Sequence, residues 1–100
     1  MLKSHYAPLT PLYVVEDLNS LTKISKQNFY HIDLSKYKNL KSIASNLFKE
    51  FRIADEKKYD FITIQKVENT GLGIAINDRI EKASTGSIEM VTGKSNSYLI

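Results

Sequence analysis

The segment Asn69-Thr70-Gly71-Leu72-Gly73 is the part of this chain best placed to do chemistry. It lies between a β-branched run and a helical stripe, where unpaired backbone N–H groups and a helix dipole attract an anion. With Asn77 and Arg79 further along that stripe, Asn69, Gly71 and Gly73 define a candidate anion or partner site. A Gly-x-Gly pair lacks the third glycine of a dinucleotide fingerprint, and the structural alternative carries more weight: Gly71 for a positive φ, Gly73 for close approach of helix and strand. For Asn77-Asp78-Arg79, a salt-bridged packing contact is likewise preferred to a ligand site. Gly93-Lys94-Ser95 ends like a phosphate-binding loop, but Ile88 stands where the first glycine is needed and five residues cannot build the helix that must follow.

Other chemistries fall away on residue types. The absence of cysteine removes thiolate nucleophiles, zinc–thiolate sites and disulfides together. Neither a Gly-x-Ser-x-Gly elbow nor a His-x-x-x-His pair is present. The two histidines, His5 and His31, fall on an arm and on a strand, and His31 reads as structural. The acidic pairs Glu16-Asp17 and Asp55-Glu56 fall at element ends, where acids serve as caps or solvated turns rather than as metal ligands.

The elements that must position these residues alternate along the chain. Pro8 and Pro11 make residues 1–10 an extended arm. Leu12 to Val15 is a short apolar run of the kind buried on both faces, and a weak helix lies within residues 18–26. Phe29 to Ile32 is a second strand, and Asp33 to Asn39 supplies turn and capping residues. Leu40, Ile43, Ala44, Leu47, Phe48, Phe51 and Ala54 form the stripe of a helix with one buried face, with Lys41, Ser42, Ser45, Asn46, Lys49, Glu50 and Arg52 on its outer positions. Phe61 to Val67 is a third strand, and the helix after it turns Leu72, Ala75, Ile76, Ile80 and Ala83 inward. This order predicts a small α/β fold, Rossmann-like or flavodoxin-like, with three layers and a short parallel sheet over residues 11–84. Residues 85–100 read as a tail, with an edge strand as the alternative.

One hundred residues suffice for one modest core, and 42% hydrophobic with 25% charged residues excludes a disordered chain. The apolar runs fall short of a membrane span and the N-terminus lacks a signal peptide's apolar stretch, so the expectation is a soluble cytoplasmic protein that makes no membrane contact. The net charge of +3 comes from twelve Lys and two Arg, a composition poor in the Arg that nucleic-acid binders favour. Lys36, Lys38, Lys41, Lys49, Arg52, Lys57 and Lys58 cluster around the long helix, but Asp33, Glu50, Asp55 and Glu56 interleave with them. A solvated face is preferred there over an RNA-contacting patch.

Two stretches together resemble a known family. His5-Tyr6-Ala7-Pro8, followed by Thr10-Pro11-Leu12, resembles the interdomain linker of the long, two-domain form of L-threonylcarbamoyladenylate synthase. Ala44-x-x-Leu47-Phe48 with Gly71-Leu72-Gly73-x-Ala75-Ile76-Asn77-Asp78-Arg79-Ile80-x-x-Ala83 is similar to the core of that family's C-terminal domain. The resemblance implies a parent nucleotidyltransferase that condenses L-threonine, bicarbonate and ATP, with magnesium, into threonylcarbamoyl-adenylate and diphosphate for tRNA modification. It implies that catalysis belongs to an N-terminal domain, so the chain reads as the C-terminal piece alone, with neither activity nor a cofactor of its own. His5, Tyr6, Ala7 and Pro8 would then form a lid over the partner domain's active site, and tRNA would be met through the parent. The alternative is an independent RNA- or nucleotide-binding α/β module.

Overall fold

The computed structural model describes residues 7–24 and 26–88, with side chains through residue 86. The strands are β1 (Leu12–Val15), β2 (Phe29–Ile32), β3 (Phe61–Gln65) and β4 (Gly86–Ile88). The helices are α1 (Ser20–Lys23), α2 (Leu40–Glu56) and α3 (Leu72–Ala83). All pairings are parallel, in the order β2-β3-β1-β4. Gly86–Ile88 therefore adds an edge strand beside β1, while residues 89–100, including Gly93-Lys94-Ser95, lie outside the described residues.

Side-chain alternation divides the sheet into two faces. Leu12, Val14, Ile32, Ile62 and Ile64 point to one face and are covered by Ile43, Leu47, Phe51 and Ala54 of α2 and by Ile76, Ile80 and Ala83 of α3. Val15 and Phe61 point to the other, where Ile24 just beyond α1 joins them with Tyr13, Leu21 and Phe29 around. Phe61 stacks on Phe29 at 5.3 Å and meets Tyr13 edge-on at 5.7 Å. This is the three-layer α/β arrangement that the alternation of elements predicts. Right-handed crossovers explain the division, because the chain leaves β1 toward β2 over one face and returns toward β3 and β4 over the other.

Local signals set the helix boundaries. Asn39 caps α2 by accepting the Ser42 N–H at 2.8 Å, and Asp33 accepts the Ser35 N–H at 3.0 Å at the start of a 3₁₀ turn, Leu34–Lys36. The weak helical signal after β1 yields only the four residues of α1, in keeping with its Ser, Thr and Asn content. At the far end of α2, Lys58 takes the left-handed conformation (φ 61°) that terminates helices.

One outward and one inward assignment need correction. Glu50, placed by its polarity on the outer face of α2, is 2% exposed. It lies seven residues after Ile43 and three after Leu47, so helical geometry carries it into the core stripe whatever its charge. In α3, Leu72 and Ala75 face solvent, whereas Gly73 and Asn77 are buried with Ile76, Ile80 and Ala83. The apolar residues at the start of α3 are thus not all on its packed side.

Candidate functional site

The turn between β3 and α3 is built around two glycines with different duties. Gly71 adopts φ +54° with open space around the position of a Cβ, so backbone conformation alone selects it. A Cβ on Gly73 would lie 1.9 Å from the Glu68 carbonyl oxygen, so close approach selects that one. Asn77, buried in α3, then clamps the loop. Its Oδ1 accepts the Val67 N–H at 2.9 Å, and its Nδ2 donates to the Val67 carbonyl at 2.8 Å and to Asn69 Oδ1 at 3.2 Å. The amide continues the hydrogen bonding of β3 after the strand has ended.

Asn69, Gly71, Gly73 and Asn77 are therefore brought together. Arg79 is not with them: it projects from α3 toward α2, its guanidinium 6.0 Å from the Phe48 ring centroid. Asp78 pairs with Lys82 at 3.0 Å. At the start of α3 the Gly73 and Ile74 N–H groups already donate to the Thr70 and Gly71 carbonyls, which leaves fewer donors for an anion.

A cavity of about 390 Å³ opens at the carboxyl ends of β2 and β3, the end of a parallel sheet where ligands of α/β folds bind. Ile32, Leu34, Leu40 and Ile43 give it apolar walls, and His31, Asp33, Tyr37 and Lys66 bring polar groups. His31 Nδ1 is hydrogen-bonded to the Thr63 hydroxyl at 2.8 Å. Burial holds the His31 pKa below its ordinary value, with the nearby Asp33 carboxylate opposing that shift. The Ser35 hydroxyl and N–H stabilise the charged Asp33 carboxylate and lower its pKa.

Polarity alone missed the ionic cluster behind this wall. Glu50 Oε2 accepts the Tyr37 hydroxyl proton and sits 2.7 Å from Lys36 Nζ, while its buried Oε1 has no partner among the described residues. The Lys36 pKa is raised, chiefly by its hydrogen bond to Glu50, and the Tyr37 pKa is raised by burial and then by the same carboxylate. The described residues hold no group of three or more His, Asp or Glu able to bind a metal, and no helix among them is long and apolar enough to cross a membrane.

At the opposite end of the sheet the arm meets the domain. Ala7 packs against the main core, and Asp55 in the last turn of α2 accepts the N–H groups of Leu9 and Thr10, each at 2.9 Å. Sequence reading assigned Asp55 to a cap or solvated turn and gave no sign of this contact. His5 and Tyr6, the first half of the expected lid, lie outside the described residues.

Comparison with known proteins agrees with this architecture. A threonylcarbamoyl-AMP synthase of Bacillus subtilis (strain 168) is 30% identical over 110 residues, covering 88% of this chain and 32% of that protein. The crystal structure of P. abyssi Sua5 complexed with L-threonine superposes with a TM-score of 0.66 at 30% identity, covering 87% of this chain and 32% of that one. A variant of P. abyssi Sua5 with a neighbouring histidine and tyrosine both replaced by alanine gives 0.60 at 27% identity, covering 81% and 31%. The chain thus spans about a third of the length of these relatives. Residues 1–85 match the family described as threonylcarbamoyl-AMP synthase, C-terminal domain, and the chain belongs to that family.

Proposed function

We propose that this chain serves as the accessory domain of a threonylcarbamoyl-AMP synthase, docking on an N-terminal catalytic domain and carrying the segment that closes its active site. The observation that carries this reading is the span of the family match, which begins in the arm and runs through α3. In the parent reaction, L-threonine, bicarbonate and ATP with magnesium give threonylcarbamoyl-adenylate and diphosphate in the cytoplasm, and the product goes to tRNA. The chain contributes no catalytic group. Its share is positional: His5, Tyr6, Ala7 and Pro8 lie over the partner domain's pocket, where excluding water protects a labile acyl-adenylate from hydrolysis.

The test is reconstitution. A catalytic domain expressed separately from the same organism is assayed for adenylate formation with and without this chain, and with its His5→Ala/Tyr6→Ala form. Wild-type chain is expected to raise the yield of intact adenylate and the double variant to lose that gain. Equal yields in all three would refute the reading.

The cavity at the strand ends supports a second reading, an independent nucleotide-binding module: its wall reaches Val67 and Glu68, the residues that lead into the turn holding Asn69, Gly71, Gly73 and Asn77, the candidate anion or partner site, while Arg79 points away toward Phe48. Amide shifts at Gly71 to Asn77 on addition of ATP to the chain alone would favour it. RNA binding that weakens steeply with salt would favour the related RNA-binding reading.

A further inference from the structure

Asp55 stands where helix electrostatics disfavour it. It occupies the last turn of α2, next to Glu56 and with no basic residue in that turn, so its charge faces the negative end of the helix dipole. Lys57 and Lys58 follow at the helix end and offset part of that charge, but the Asp55 carboxylate oxygens are themselves engaged elsewhere in the fold. Their partner is the arm. Pro8 and Pro11 have no N–H, so Leu9 and Thr10 hold both backbone donors of the Pro-Leu-Thr-Pro stretch. Both donate to this one carboxylate, Leu9 to Oδ2 and Thr10 to Oδ1, across 46 and 45 residues of sequence. Two consecutive amides on the two oxygens of one carboxylate fix the direction of the chain as well as its position. The Leu9 side chain does not make the seat, being 87% exposed; the backbone and Ala7 do. The loop after α2 is itself held, with the Tyr59 ring stacked on Tyr30 at 6.0 Å.

We infer that Asp55 is a positioning residue that anchors residues 7–10, fixing the place and direction of the chain at that end of the arm. The consequence for catalysis rests on the accessory-domain reading; the anchor itself does not.

Two measurements separate these claims. Hydrogen exchange at the Leu9 and Thr10 amides is followed by NMR in the chain carrying Asp55→Ala, Asp55→Asn or Asp55→Glu, with Glu56→Gln as a control. Exchange should speed up about tenfold or more in Asp55→Ala, less in Asp55→Asn, which keeps one acceptor oxygen, and not in Glu56→Gln. The Ile64 amide in β3 reports whether the fold survives. Unchanged exchange at Leu9 and Thr10 in Asp55→Ala overturns the anchor. In mixtures with the catalytic domain, Asp55→Ala should increase severalfold the fraction of adenylate hydrolysed, and Asp55→Glu should restore part of the loss. If wild-type chain protects adenylate and Asp55→Ala protects it equally, the anchoring role in the reaction is wrong. If wild-type chain has no effect on the catalytic domain, the accessory-domain reading fails, and the exchange data alone uphold or overturn the anchor.

Discussion

The Glu50 carboxylate lies 2.7 Å from the Lys36 ammonium, although Glu50 is sealed in the core and Lys36 is 52% exposed. The pair is lopsided: desolvation falls on the acid, while water screens the base. A charge buried in this way adds little net stability beside an apolar side chain of similar size. Glu50→Met, which removes the unpartnered Oε1, should therefore stay within about 1.5 kcal/mol of wild type, whereas Glu50→Ala opens a cavity and should cost about 3 kcal/mol. Urea denaturation decides, and a methionine variant no more stable than the alanine variant would contradict the argument.

The two glycines before α3 should separate cleanly on substitution. Gly71→Ala strains only a φ of +54° in open space and should destabilise by about 1 kcal/mol, the order of an alanine forced to positive φ. Gly73→Ala must move the Glu68 carbonyl and should cost more, about 3 kcal/mol. Thermal unfolding of the two variants gives the order directly; equal losses would mean that the turn relaxes around Gly73.

Asn77 makes three hydrogen bonds that hold the end of β3 against α3. Removing them with Asn77→Ala leaves the buried backbone of Val67 short of partners and should cost about 2–3 kcal/mol. Asn77→Asp keeps the acceptor for the Val67 N–H but sets a carboxylate against the Val67 carbonyl, so it too should destabilise. An aspartate variant as stable as wild type would show that the clamp has slack.

His31 has a folded-state pKa below its unfolded value because burial penalises the charged ring. Between those two values the unfolded chain binds more protons, so stability rises with pH there. The His31 contribution is intact above about pH 6.5, the ordinary value for a free histidine, and is lost as pH falls from there toward the folded value. Urea midpoints between pH 5 and 7.5 should fall on acidification in wild type and fall less in His31→Asn. Parallel profiles would assign the slope to other groups.

Most of the fold was legible because its signals are periodic and local. β1 and β2 announce themselves as short apolar runs, and α2 as a stripe on a 3.6-residue period closed at one end by Asn39. Glu50 was misplaced because residue type was weighed above helical position, although seven residues from Ile43 is an inward spacing. The extent of β4 was hidden for a different reason: three residues carry almost no pattern, and only pairing with β1 makes Gly86–Ile88 a strand. In the candidate site, Gly71 and Gly73 were readable as a turn. The Asn77 clamp was not, because an asparagine in a helix has no sequence mark distinguishing a solvent-facing amide from one turned onto a strand end. The bonds from Asp55 to Leu9 and Thr10 join positions whose closeness exists only after folding.

A sheet with all strands parallel has a polarity, and its two ends carry different features. The arm seats on Asp55 at the end where the strands begin, and the cavity beside His31 opens where they finish. Four residues of strand, about 13 Å, lie between them. A fluorophore at the cavity mouth could thus sense occupancy without disturbing the tether, and a fusion placed on the arm would leave the cavity open. The domain thus keeps its two features at opposite poles of one sheet, the seated arm at one and the cavity at the other.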